Sequence, residues 1–498
     1  MDKCLEAIRR GEDVRAGLIE LKLRCKEDPK AAWALRAEDG VPEIFEQLLM
    51  HEDAKVRKNA ALLLGELGLD ESAQALYHAY EAEQTRFVKS AYLQALKELD
   101  VTPYLDALRE RYAELLAYEP AAEEQKHVAQ ERSLLQQLLA ENDVIEKHIF
   151  SGWRRTNDVI FTTEYALREP LQKQLESRSR EEVRTALHPF GVRVRTTELS
   201  QLCRLHTYRE LLFTLRVKGT IRGTADELSQ ALLDGGLVTL LEHTHTEDAP
   251  FYFRIEVRGV EDTVQKTALA KELAQALEQG SGGKLLNSTT DYEVEVRLTR
   301  TKDGSFYPCL KLYTIADDRF AWRKQTISAS MHPSLAAALI ELARPYLSEQ
   351  SVVLDALCGV GTFVIERNLR MKAYDNYAVD LYGQAVAGAK QNAAAAGVTC
   401  NFITKDFTQF TSKHQMTEIF ADMPKRGKKM KEELDALYSG CFRRFSQLLA
   451  AHGHLFLYAG EEGFVKKNLR LNKELALIHE MKIRPKEDGV FYIIEKRS

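Results

Sequence analysis

The stretch that most narrows what this chain can become is Asp355-Ala356-Leu357-Cys358-Gly359-Val360-Gly361-Thr362-Phe363, bracketed by two short apolar runs. Val352-Val353-Leu354 before it has the length and branching of a buried strand, and Val364-Ile365-Glu366-Arg367 after it continues as a helix. Strand, glycine turn and helix N-terminus in that order imply an α/β sheet with a ligand at the strand's C-terminal end. The glycines let backbone pass close to that ligand, and unpaired N–H groups at the helix start receive a negative group. A nucleotide-like cofactor is expected there.

What the turn lacks decides which cofactor. A dinucleotide fingerprint wants a third glycine three residues after the second, and Val364 stands there after Gly361. Asp355 closes the strand with a carboxylate suited to an ammonium group, which S-adenosylmethionine has and NAD lacks. Ala378-Val379-Asp380 ends a second strand, where an acid accepts both ribose hydroxyls. Phe402-Ile403-Thr404-Lys405-Asp406-Phe407 is a third, with Asp406 for the adenine amino group and Phe407 to cover the ring. The expected cofactor set is Asp355, Cys358, Gly359, Gly361, Thr362, Asp380, Leu381, Asp406 and Phe407. Cys358 is expected to be pocket wall rather than a nucleophile, and His332 to start a helix rather than catalyse.

From about residue 320 onward the glycine turn, Val379-Asp380-Leu381 and Gly453-His454-Leu455-Phe456-Leu457 resemble the Rossmann-like catalytic domain of THUMP-containing RNA methyltransferases. Phe320 to Lys324 and Ser328 to Pro333 are similar to the linker and leading helix of that family. The resemblance implies S-adenosylmethionine as cofactor, tRNA or ribosomal RNA as partner, and N2-methylguanosine as product. It also implies a seven-stranded sheet ending in an antiparallel hairpin, here Leu475 to Ile483 and Val490 to Glu495 around a Pro-Lys-Glu-Asp-Gly turn.

The fourth strand, Glu418 to Asp422, runs into the place where such enzymes carry Asp or Asn, Pro, Pro and an aromatic. This chain has Asp422-Met423-Pro424-Lys425. Methylating an exocyclic amine needs acceptors that orient its N–H bonds and leave the lone pair facing the methyl group. Asp422 and the Met423 carbonyl supply two, and Asp422, Met423 and Pro424 are the expected catalytic residues. The aromatic platform, worth about 1–3 kcal/mol of base stacking, is gone. Arg323, Lys324, Lys425, Arg426, Lys428 and Lys429 are the expected RNA contacts, holding phosphates near a flipped nucleotide. A different substrate, or a catalytically silent RNA- or protein-binding scaffold, stays open.

The rest of the chain follows other periods. Val56, Ala60, Leu63, Leu64 and Leu67 form one helical face, and Val88, Ala91, Tyr92, Ala95, Leu96 and Leu99 another. Lys58, Ala60 and Leu62 return as Lys89, Ala91 and Leu93, the offset of about 31 residues expected of HEAT-type helical repeats. Stacked pairs of this kind offer a surface to a protein partner. Between about 145 and 320 strands and helices alternate. Phe253, Ile255 and Val257, then Val294, Val296 and Leu298, alternate with charged residues as half-exposed strands, and Asp303-Gly304 turns into Phe306 to Leu312. Strand, helix, strand and hairpin is the order of a THUMP core, preceded by a ferredoxin-like module. The expectation is a multidomain chain: helical repeats over 1–115, a helical linker over 116–144, the α/β RNA-binding region over 145–320, and the α/β methyltransferase over 321–498.

Fourteen lysines and arginines against nine acids lie between Ile145 and Thr220, in a chain whose net charge is −5. RNA contact is therefore expected through a local patch rather than the whole surface. Cysteines are scattered without metal spacing, and no apolar signal core or membrane-length run is found, so a soluble, cytoplasmic, metal-free protein is expected.

Overall fold

The computed structural model describes residues 3–38, 40–118, 120–121, 123–142, 148–180, 183–247, 249–328, 330–427, 430–484 and 489–497. The chain folds into two compact units, one of residues 1–149, 216–242 and 246–308 and the other of 150–215, 243–245 and 309–498. These units interleave segments of the chain, where the expected domains run in order with borders at 145 and 320. Strand pairing brings together segments remote in the chain, and hydrophobic periodicity carries no record of which segments those are.

In the first unit the expected repeats form helix pairs, Val41–Leu48 with Ala54–Leu67 and Ala73–Ala82 with Arg86–Leu96. Their periodic residues, among them Val56, Leu63, Val88 and Leu96, are buried in one core. Asp53 caps its helix by accepting from the Lys55 N–H at 2.8 Å, and Arg57 forks onto Glu83 at 2.8 and 2.9 Å to tie one pair to the next. Part of the stretch expected as a linker over 116–144 joins this core. Helices Leu105–Ala117 and Gln125–Asn142 pack on each other, and Val128, Leu135, Leu138 and Leu139 belong to the repeat core.

The α/β part of this unit sets strand Phe251–Arg258 between Leu285–Asn287 and Val294–Arg300, parallel to both. Glu295 and Arg297, which alternation places outward, are buried instead. Glu295 is shared by Arg254 and Arg297, so both faces of the strand are covered and its charges neutralise one another.

The second unit begins with the antiparallel strands Arg184–His188, Gly191–Thr196, Asn157–Thr162 and Leu211–Thr214, paired in that order. A seven-stranded sheet follows: β1 (Val352–Ala356), β2 (Asp375–Asp380), β3 (Asn401–Thr404), β4 (Met416–Asp422), β5 (Leu449–Ala459), β6 (Leu475–Lys482) and β7 (Val490–Lys496). Its order is β3-β2-β1-β4-β5-β7-β6, with β7 antiparallel to both neighbours. The expected terminal hairpin is present, although turn residues 485–488 lie outside the described residues. The helices are α1 (Pro333–Ala343), α2 (Thr362–Arg370), α3 (Gly383–Ala396), α4 (Lys431–Leu448) and α5 (Glu462–Leu471). His332 caps α1 by accepting from the Ser334 N–H at 3.2 Å. Phe442 and Phe445 of α4 pack on one face of the sheet, and Leu339 and Ile340 of α1 on the other.

Under the sheet, Arg367 of α2 forks onto Glu418 of β4 at 2.7 and 2.9 Å, and both side chains are fully buried. Arg367 also donates to the Ser348 carbonyl, while Glu418 accepts from the Ser348 N–H. This satisfied pair fixes the helix behind the glycine turn against the strand that ends in Asp422. Among the described residues no helix is long and apolar enough to cross a membrane.

Candidate active site

Strand order reverses between β1 and β4, so the C-terminal ends of β1, β2 and β4 open onto one crevice. The turn after β1 is held in an unusual backbone path. Leu357, Gly359 and Gly361 all have positive φ, at 63°, 53° and 83°. For leucine this conformation costs about 1–2 kcal/mol, and such strain persists where surrounding contacts impose it. A Cβ on Gly361 would come within 3.3 Å of the Ala389 methyl on α3.

Side chains from three elements impose that path. Asp355 accepts from the Val364 N–H at 3.0 Å, in the first turn of α2. Asp380 accepts from the Gly359 N–H at 2.8 Å and from the Tyr382 N–H at 2.9 Å. Asn392 of α3 donates to the carbonyls of Val360 and Gln325 and accepts from the Gln325 N–H, clamping the segment before α1 onto the turn. Sequence reasoning missed Asn392 because a polar residue on an alanine-rich helix carries no motif.

The electrostatics suit a cation. Burial pushes the Asp355 carboxyl up to about 8, and the neighbouring Asp380 and Asp422 carboxylates add to the rise. Burial likewise raises Asp422 to about 7, against the pull of Lys425. Positive charge brought into the crevice relieves the crowding of these acids. Each Asp380 oxygen keeps a lone pair beyond its backbone bond, enough for a vicinal diol. The residues therefore fit the methionine and ribose parts of S-adenosylmethionine.

The expected adenine partners divide. Asp406 accepts from the Thr408 N–H and hydroxyl at 2.9 and 2.8 Å, so it caps the short turn after β3. Phe407 does not line the crevice: it is buried in the core, with its ring 5.2 Å from that of Phe445. An aromatic next to a strand-end acid reads the same from sequence whether it points outward or into the core. The exposed apolar groups at the turn are Ile327, Leu381 and Tyr382. Of these only Leu381 was expected, and Ile327 Cδ1 lies 3.6 Å from where a Gly359 Cβ would stand. Cys358 is buried wall, its thiol pushed well up by burial, with its N–H on the Val379 carbonyl.

After β4, Asp422 is half-buried at the crevice, and among the described residues nothing hydrogen-bonds its carboxyl. The Met423 side chain is buried and its N–H donates to the Tyr458 carbonyl at 2.8 Å. The Pro424 carbonyl accepts from the Tyr438 hydroxyl at 3.3 Å. Lys425 and Arg426 are exposed; Lys428 and Lys429 lie outside the described residues. Lys324 is exposed too, but Arg323 is half-buried and donates to the Met331 carbonyl, which makes it a strut of the linker rather than a free RNA contact. Farther along the same unit, Arg184 and Arg195 face each other directly across paired strands and both are exposed, a repulsive arrangement that an anion would bridge.

Residues 321–487 match the family described as UPF0020, RMKL-like, methyltransferase domain, and residues 29–97 match HEAT repeats. Among solved structures, TrmN from Thermus thermophilus is similar at 22% identity, covering 68% of this chain and 99% of that one with a TM-score of 0.52. SMU.472 in complex with SAH is similar at 14% identity, covering 69% and 98% with a TM-score of 0.51. A Listeria monocytogenes protein described as a predicted N6-adenine-specific DNA methylase is similar at 15% identity, covering 68% and 96% with a TM-score of 0.51. These likenesses are of fold, and they span more of the chain than residues 321–498 hold. By family match and by fold, the C-terminal region is a methyltransferase domain.

Proposed function

We propose that this protein is an S-adenosylmethionine-dependent RNA methyltransferase that modifies an exocyclic amine, N2 of guanosine, in tRNA or ribosomal RNA. The observation that carries the proposal is the convergence of the Asp355, Asp380 and Asp422 carboxylates at one crevice, around a turn with positive φ at Leu357, Gly359 and Gly361. S-adenosylmethionine supplies an electrophilic methyl group when bound. Asp355 and the turn would hold its methionine part, Asp380 its ribose, and Ile327, Leu381 and Tyr382 would cover its apolar faces.

Asp422 and the Met423 carbonyl orient the acceptor amine by taking its N–H bonds. A carboxyl raised to about 7 is also well matched to receive the proton that nitrogen sheds as it gains a methyl group. RNA would be gripped by the arginines of the 150–215 segment and by Lys425 and Arg426 beside the crevice, with the target base turned out of its stack. The strands and helices of 216–308 take the place of the THUMP core, and the helical repeats hold a protein partner.

A second reading, binding without turnover, is favoured by one feature: Lys425 stands where an aromatic platform is expected. Purified protein incubated with tritiated S-adenosylmethionine and undermethylated total RNA separates the two. Label in RNA, resolved by size, supports the enzyme and identifies the RNA class. Cofactor binding with no label in any fraction supports the scaffold.

A further inference from the structure

We infer that Tyr438 and Glu461 are positioning residues that set the acceptor loop Asp422–Arg426, doing from outside what its own sequence does not do from within; this rests on the assignment of Asp422 as the amine's acceptor. A loop with two consecutive prolines has two φ angles fixed by rings. This one has Met423 in the first of those places, so the backbone that carries both acceptors keeps a free rotation.

Three contacts remove that freedom. The Met423 N–H donates to the Tyr458 carbonyl on β5 at 2.8 Å. Two turns into α4, the Tyr438 hydroxyl donates to the Pro424 carbonyl at 3.3 Å. At the start of α5, the Glu461 carboxylate accepts from the Arg426 N–H at 3.0 Å. The helices after β4 and β5 thus each send one side chain back to the loop, on either side of Lys425.

Tyr438 is placed to hold the loop rather than to meet substrate, while Glu461 is half-buried at the rim of a cavity shared with Lys431 and Lys467. Tyr438 is fully buried, its ring 5.4 Å from that of Phe464. Burial and the nearby Glu461 and Asp422 carboxylates push its phenol above the ordinary tyrosine range, so it stays a hydroxyl donor at every working pH. Glu461 uses one oxygen for the Arg426 N–H, a role that a glutamine carbonyl fills equally well.

The test uses Tyr438→Phe, Glu461→Ala and Glu461→Gln in the full chain, with methyl transfer to undermethylated total RNA, S-adenosylmethionine affinity, and amide exchange of the Met423–Gly427 segment. Misplacing an acceptor by about 1 Å costs on the order of 100-fold. We expect kcat to fall about 10- to 100-fold in Tyr438→Phe and Glu461→Ala, with cofactor affinity and the KM for RNA unchanged, and to recover in Glu461→Gln. The Arg426 amide exchanges faster in Glu461→Ala and at the wild-type rate in Glu461→Gln. Unchanged kcat in the first two variants, a loss confined to cofactor affinity, or equal failure of both Glu461 variants overturns the inference. If wild-type protein transfers no methyl group, the functional assignment fails, and exchange alone decides: equal Arg426 rates in Glu461→Ala and wild type overturn the positioning role too.

Discussion

The turn after β1 and the loop after β4 leave neighbouring strands of one sheet at the same edge, yet they differ in how much of the backbone path their own residues set. The first supplies its own glycines for the backbone path and is held by acids of β1 and β2 and by Asn392 of α3. The second has one proline and is held by Tyr438, Tyr458 and Glu461, residues from elements that come later in the chain. A cofactor common to many enzymes is met by a turn that carries its own glycines and lies beside strand-end acids. The acceptor is met by a loop whose shape depends on its surroundings and is free to diverge.

The sharpest way to break this comparison is to remove what both loops stand on. Arg367→Ala leaves Glu418 buried without its partner, and we expect a loss of about 3–5 kcal/mol in urea denaturation, with cofactor binding and transfer failing together. Next in size, Asp422→Ala should cut transfer by about 100- to 1,000-fold while calorimetry finds cofactor affinity unchanged. A matching loss of affinity would merge the two loops into one site and sink the distinction.

Gly361→Ala does the reverse. The left-handed backbone and the Ala389 contact should cost about 1–2 kcal/mol, read as weaker cofactor affinity with transfer restored at saturating cofactor.

The pH dependence of cofactor affinity belongs to the first loop. The Asp355 carboxyl sits at about 8, above its unfolded value, so it binds a proton in the folded protein that the unfolded chain gives up. Without ligand it therefore favours the fold at low pH and opposes it increasingly as pH rises toward 8. A cationic cofactor needs the ionised form. Affinity should thus strengthen by up to about tenfold per unit from pH 6 to pH 8 and level off above, with proton release detectable in buffers of different ionisation enthalpy. Asp355→Asn should abolish both the slope and the release. The smallest effect is expected of Phe407→Leu, about 1 kcal/mol of stability as the smaller side chain loses contact with Phe445, and no change in cofactor affinity.

Much of this was legible because the signals are local. Strand-turn-helix around Gly359 and Gly361, the period of the two repeats and the terminal hairpin are each written within one stretch of chain, and the structure keeps them. What escaped depends on partners far away in sequence. Nothing near Asn392 says that it will clamp Val360 and Gln325, and nothing in Asp406-Phe407 says that the ring turns into the core against Phe445. Glu295 and Arg297 looked like an exposed face because their neutralising partner Arg254 lies on another strand. The stretch read as a linker holds helix Gln125–Asn142, whose buried residues show only when folded against the repeats.

The central claim, that a cationic methyl donor and an RNA amine meet at Asp422, is tested most directly by digesting labelled RNA to nucleosides after reaction with wild-type and Asp422→Ala protein, both saturated with tritiated S-adenosylmethionine. The account predicts label in N2-methylguanosine with the wild type, gained about 100- to 1,000-fold faster than with the variant. Label gained at the wild-type rate by the variant, or label on a carbon or a ribose oxygen, would contradict it.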